Sequence, residues 1–147
     1  MNEIKIPDNW ELMTVSERRD SLTKLEEAIK ELETTSPPED MFLEEWHTGD
    51  LYVRRLHIKK NTALVGEIHA TRVFNILTGG NILIATEHGI SIQEPDSFIS
   101  EVGTKRFGFA IDDCVWTTFH PTQKTDVADI KEEILYRDFK ELQNMEN

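Results

Sequence analysis

Apolar positions change their spacing twice along this chain. Between Thr14 and Glu33, Leu22, Leu25, Ile29 and Leu32 recur every three or four residues, while Glu26, Lys30 and Glu31 fall between them. This period predicts a helix with one narrow apolar stripe. Thr14 followed three positions later by Glu17 is the reciprocal pair that satisfies two orphan amides at a helix start, and Pro37 and Pro38 forbid its continuation. The stripe must dock on the same chain or on a partner subunit. From Met41 to Pro121 the apolar positions come instead in short runs rich in β-branched and aromatic residues: LYVRRLHI from Leu51, VFNIL from Val73, NILIAT from Asn81, SFIS from Ser97 and CVWTTFH from Cys114. Turn residues punctuate them at Gly79-Gly80-Asn81, His88-Gly89, Glu94-Pro95-Asp96 and Gly103. Short strands at such spacing predict a sandwich or a closed barrel. From Thr125 or Asp126 the helical period returns with Val127, Ile130, Ile134 and Leu135, predicting one closing helix that runs toward Phe139 and Leu142 and a frayed end from Asn144 to Asn147.

The expected organisation is a helical segment over 1–40, a β-barrel over 41–122 and a helix with a tail over 123–147, folded as one domain. A chain of 147 residues buries enough surface for such a domain without a disulfide or metal staple. Its one cysteine, Cys114, lies in an apolar run before Trp116, the setting of a buried free thiol in a reducing compartment. The first residues, MNEIKIPDNW, do not form a signal sequence, and no apolar run approaches the length of a membrane span. A soluble cytoplasmic protein without a membrane partner is expected. A formal net charge of -12 repels phosphate backbones at long range, which removes nucleic acid from the expected partners.

Three stretches carry a family resemblance: GEIHATRVFNILTGG from Gly66, EPDSFISEVGTKRFGFA from Glu94 and DCVWTTFHPT from Asp113. Between Leu51 and Thr122 the chain resembles the cupin superfamily, and within it small phage-encoded cupin-like proteins of unassigned activity. The resemblance implies a mainly β jelly-roll barrel flanked by an N-terminal and a C-terminal helix. It also implies comparison with the metal cupins, whose first motif carries two histidines two residues apart and a glutamate four further on, and whose second motif adds a third histidine. At those positions this chain has His69, Thr71, Asn75 and Arg106. Three of the four ligands are therefore replaced, and an arginine repels a divalent ion. The phage-type proteins often place a second histidine four residues after the first, where this chain has Val73.

Strand parity directs His69, Val73, Asn75 and Leu77 to one face, and Trp116, Thr118 and His120 to one face of the late strand. Arg106 shares its parity with Gly108 and Ala110, which are too small to fill a barrel. A guanidinium beside such neighbours requires either an acid, Glu67 or Glu101 here, or a bound anion. His57 and His88 read as surface residues, and Glu44, Glu45 and His47 as a loop that cannot fix a metal. No nucleophile elbow, phosphate-cradling loop or dinucleotide fingerprint is present.

The function expected from these residues is binding of a small polar or anionic molecule in the barrel, in an accessory protein acting in the host cytoplasm if phage-encoded. The ligand contacts would come from His69, Thr71, Asn75, Arg106, Trp116, Thr118 and His120, with no cofactor and no tightly held metal. One alternative is a metal-dependent cupin enzyme in which His69 and His120 hold zinc, iron or manganese weakly. Another is a non-catalytic homodimeric scaffold joined through the end helices and a sheet edge; a homodimer is expected in any case, because cupins often cover strand edges this way.

Overall fold

A computed structural model describes residues 4–35, 41–136 and 138–146. Two antiparallel sheets face each other. The larger has the order β1-β2-β10-β5-β8, from β1 (Met41–His47), β2 (Leu51–Ile58), β5 (Val73–Thr78), β8 (Asp96–Ser100) and β10 (Cys114–Pro121). The smaller is β3-β9-β6-β7, from β3 (Ala63–Val65), β6 (Ile82–Thr86), β7 (Gly89–Gln93) and β9 (Phe107–Ala110). All five runs singled out from the sequence form strands. Between the sheets lies a core of Ile58, Leu77, Ile82, Ile84, Ala110 and Cys114, on which Leu56, Phe98 and Trp116 also pack. Cys114 is buried, and desolvation, then the nearby Asp112 and Asp113 charges, push its thiol up to about 11.

The turn from β5 to β6 depends on two glycines. Gly79 has φ +89°, and a Cβ on Gly80 would lie 2.4 Å from Asp112 Cβ and 2.8 Å from the Asp113 carbonyl oxygen. The Asp112 carboxylate accepts the Asn81 amide at 3.0 Å. No other residue fits so close an approach.

Helix α1 (Val15–Thr35) begins with the expected reciprocal cap: the Thr14 amide donates to Glu17 Oε2 at 2.9 Å and the Glu17 amide to Thr14 Oγ1 at 3.1 Å. Its stripe docks on the chain's own smaller sheet, where Leu22 and Ile29 join Trp10, Ala85 and Phe107. Leu32 departs from the stripe and is 53% exposed. Arg18, itself nearly buried, donates to the backbone carbonyls of Trp10, Glu11 and Glu87, so the chain entry is tied to the β6–β7 turn.

Three details differ from the pattern-based expectation. Residues Glu44, Glu45 and His47 lie in edge strand β1, not a loop, and alternate between faces: Glu44 meets His57 at 2.6 Å, whereas Glu45 accepts from Tyr52 Oη. The single closing helix is divided into α2 (Val127–Ile134), β11 (Leu135–Tyr136) and α3 (Phe139–Glu146). The break exists because Leu135 and Tyr136 pair with His69 and Ile68 of β4 (Ile68–His69), a tertiary demand that overrides local helical period. Helix α3 continues through Asn144 to Glu146 where fraying was expected, and Asn147 lies outside the described residues. Among the described residues no helix is long and apolar enough to cross a membrane.

Candidate functional site

His69 and Leu77, which strand parity directs to one face, do not lie on one strand. Residues 68–69 pair with β11 and residues 73–78 with β10 and β8, so the chain bends across 70–72 between the two sets of partners. Val73, Asn75 and Leu77 nonetheless face inward and are buried. Register carries the inner rows across the large sheet: Arg54 opposite Thr118 opposite Asn75, and Leu56 opposite Trp116 opposite Leu77.

These rows border a cavity of about 130 Å³ whose wall includes Arg54, His69, Asn75, Arg106, Trp116 and Thr118. Leu64, Ile82, Ile84 and Gly108 supply its apolar floor. The space suits about four waters, at the roughly 30 Å³ each occupies in the liquid, or one compact anion. Gly108 does not itself leave this space open, because a Cβ there would already meet Ile82 Cδ1 at 3.1 Å. Of the expected contact residues, Thr71 and His120 do not line the cavity. His120 stands behind it, with its ring 5.4 Å from that of His69 and its Nε2 3.1 Å from Thr118 Oγ1.

Glu67 and Leu135 line both this cavity and an outer cleft of about 520 Å³, where Lys30, Lys105, Lys131, Glu26 and Glu132 also lie. They form the partition between inside and outside. Leu135 is held there by the same β11–β4 pairing that splits the C-terminal helix.

The electrostatics are unusual for a barrel interior. Arg54 and Arg106 both reach the cavity, and among the described residues neither has a carboxylate within 4.0 Å. The acids expected to neutralise Arg106 are otherwise placed: Glu101 pairs with Arg72 at 3.2 Å, and Glu67 stays exposed at the partition. Burial lowers the affinity of Arg106 for its proton. His69 is pushed down to about 3, first by desolvation and then by His120, Arg106 and Arg54; His120 is pushed down to about 4, by desolvation and then by Arg54. Both imidazoles are neutral at ordinary pH. His69 Nδ1, Thr71 Oγ1 and His120 Nδ1 are buried and lack a hydrogen-bond partner among the described residues.

Asn75 binds neighbouring strands instead. Its Nδ2 donates to Ser100 Oγ at 2.7 Å and to the Val73 carbonyl at 3.1 Å, while its Oδ1 accepts the Trp116 indole N–H at 2.9 Å. One carboxamide thereby ties β5, β8 and β10 together and fixes the tryptophan wall. Asn75→Ala should cost about 2–3 kcal/mol, since it strands the buried indole and hydroxyl, and denaturant unfolding would measure it.

Arg54 is the cavity residue that the sequence pattern did not single out. Its alternation with Tyr52, Leu56 and Ile58 carried the signal, but the adjoining Arg55, His57, Lys59 and Lys60 made the run look like a solvated basic surface.

No family model and no curated protein matches this chain. Solved structures do. An oxalate oxidase matches with a TM-score of 0.50 at 13% identity, over 70% of this chain and 58% of its own. The fold is that of a cupin. KdgF from Halomonas sp. matches with a TM-score of 0.48 at 16% identity over 58% of this chain and 82% of its own; an RmlC-like cupin from Shewanella frigidimarina has the same score at 13% identity over 59% and 81%.

Many cupins hold a metal, so the donors here bear directly on that chemistry. The described residues contain no group of three His, Cys, Asp or Glu side chains placed to share an ion. At the four cupin-ligand positions, Asn75 is committed to internal hydrogen bonds and Arg106 is cationic. His69 and Thr71 hold the other two, so only with His120 from behind the cavity does the set offer two imidazoles, and two guanidiniums lie close enough to depress the pKa of one of them. This set does not fit a tightly held divalent ion.

Proposed function

We propose that this barrel is a binding pocket for a compact anion, held by Arg54 and Arg106 against the Trp116 wall without a resident metal. The observation that carries the proposal is the pair of guanidiniums facing one small cavity with no carboxylate partner among the described residues. Both guanidiniums are partly withdrawn from water without a counter-charge, which is unfavourable, so an anion that completes the arrangement accounts for keeping the two together. Arginine's planar fork suits a carboxylate or phosphate bidentately. Neutral His69 and Thr118 add polar contacts, and the orphaned buried nitrogens and hydroxyl next to them invite ordered water between ligand and wall. The resemblance to phage-encoded cupin-like proteins extends this proposal to an accessory binding role, in the host cytoplasm if the chain is phage-encoded.

Thermal melting in matched ionic strength tests the pocket, with inorganic phosphate, sulfate and malonate as probes and chloride as reference. At least one divalent probe should raise the midpoint by about 5 °C when present at roughly a hundred times its dissociation constant. Equal midpoints in all four salts up to tens of millimolar would remove the proposal.

A second reading, a metal-dependent enzyme, draws on the 5.4 Å separation of the His69 and His120 rings and their orphaned Nδ1 atoms. Elemental analysis of protein purified without chelators separates the two. The anion pocket predicts far less than one transition-metal ion per chain, and near-stoichiometric metal would favour the enzyme.

A further inference from the structure

The wall of the inner cavity is not uniformly cationic. Arg54 and Arg106 bring hydrogen-bond donors only, since a guanidinium has no acceptor. Glu67 lines the same cavity and brings an acceptor. Its neighbour Gly66 donates its amide to the Arg106 carbonyl at 2.8 Å, which sets Glu67 and Arg106 on adjoining stretches of backbone. Among the described residues no lysine, arginine or histidine nitrogen lies within 4.0 Å of the Glu67 carboxylate. The outer cleft that Glu67 also borders holds lysines, but two of them are engaged: Lys30 and Lys105 face Glu26 at 3.7 and 2.7 Å. Two residues beyond Glu67, His69 carries a buried Nδ1 with no hydrogen-bond partner among the described residues. A neutral imidazole offers one acceptor nitrogen, so the wall presents donors from two arginines and acceptors from Glu67 and His69.

We infer that the molecule held here is a zwitterion, a small α-amino acid whose carboxylate lies on Arg54 and Arg106 and whose ammonium lies on Glu67, with His69 as a second acceptor. The inference rests on the anion pocket proposed above and names the molecule that carries the negative group. A simple anion has acceptors alone, so it satisfies the guanidiniums and leaves the Glu67 carboxylate beside a like charge. An ammonium on the same molecule turns that repulsion into a charge-assisted hydrogen bond, while the arginine forks keep the carboxylate.

Long-range charge and size select the same class. A chain with formal net charge -12 repels an anion along its whole approach, whereas a molecule without net charge meets no such barrier. Glutamates outnumber lysines four to three in the outer cleft, so the field at the partition favours the ammonium there and the carboxylate at the guanidiniums. The cavity of about 130 Å³ has room for about four waters, and covalently joined atoms pack closer than separate waters, so the few heavy atoms of glycine or alanine fit. Leu64, Ile82 and Ile84 receive the Cα and a methyl group. A longer side chain meets Leu135, which its pairing with His69 holds in place.

Isothermal titration calorimetry on the full chain, near neutral pH and at constant ionic strength, tests this with glycine, alanine, acetate, propionate and malonate. Acetate and propionate are glycine and alanine without the ammonium. Each amino acid should bind at least about tenfold more tightly than its counterpart, the worth of one hydrogen bond between charged groups. Glu67→Gln should erase that ratio and strengthen malonate, because it removes a like charge from the wall. Glu67 is exposed and has no ion pair among the described residues, so the variant should melt with the unmodified chain. Should it fail to fold, the ratio measured on the unmodified chain still decides. Equal affinities for amino acid and counterpart overturn the inference, and if malonate binds all the same, the anion pocket stands without it. A ratio that survives Glu67→Gln overturns it too. Silence of all five probes removes the pocket and the inference together.

Discussion

Lowering the pH from 7 to about 4.5 is expected to remove about 5 kcal/mol of folding stability through His69 and His120 alone. Their folded-state values, about 3 and about 4, lie below the ordinary 6.5. For a depressed histidine the sign runs one way. Above 6.5 both states are neutral and the contribution is complete; below it the unfolded chain takes up protons that the folded chain refuses, and stability falls until the folded values are reached. Each histidine loses about 1.4 kcal/mol per pH unit across that window. Geometry supports the direction independently, because an imidazolium needs acceptors for both N–H groups and each ring has a buried Nδ1 without one. The charged and titratable groups around the pair are Arg54 and Tyr52 from β2 and Arg106 ahead of β9, and the two cations oppose protonation. Against a typical total of about 5–15 kcal/mol, this loss is decisive. Urea unfolding between pH 7 and 4.5 should show the slope in the unmodified chain and lose it in the double variant His69→Gln, His120→Gln. An identical slope in both chains would reject the assignment.

The same two residues show what the sequence could reveal. Strand alternation is local: it put His120 with Trp116 and Thr118, but the parity that joins His69 to Val73 and Asn75 holds only along one strand, and it is the β11–β4 pairing beyond the bend at 70–72 that brings His69 to the cavity and within 5.4 Å of the His120 ring. Partner identity is not local. Among the described residues Arg106 pairs with neither Glu67 nor Glu101, and Glu101 lies instead against Arg72 at the surface, an outcome that no spacing encodes. Edge strand β1 was missed for a related reason. MFLEEWH lacks alternation because its inner side meets the barrel rim and its outer side carries Phe42 and Trp46 on an uncovered face. The division of the C-terminal helix was invisible because Leu135 and Tyr136 satisfy the helical period and leave it only to pair with β4. The cupin resemblance anticipated the fold, while the chemistry at its ligand positions had to be taken from this chain's own residues.

Replacing Arg106 with methionine should make the protein free of anion more stable, by about 1–3 kcal/mol, while abolishing its response to anions. The reason is the asymmetry of buried charge. Without a bound anion the Arg106 guanidinium is partly withdrawn from water without gaining a carboxylate, and an apolar side chain of similar length avoids that cost. Methionine also adapts to the irregular space left against Leu64, Ile82 and Trp116. A purely structural arginine, one that served packing or an internal ion pair, would give the opposite result: its loss would destabilise the chain and leave salt dependence unchanged. Arg54→Met should behave similarly with a smaller gain, because Arg54 acts on the Tyr52 hydroxyl, itself pushed up to about 12 by burial and then by its hydrogen bond to Glu45. Loss of that arginine therefore removes a compensating contact as well as a charge. Urea midpoints in chloride and in phosphate for the unmodified chain and the two single variants measure both quantities at once. A pocket built for an anion sacrifices stability when empty and recovers it when filled, and only that combination predicts a variant that is both more stable and indifferent to the ligand.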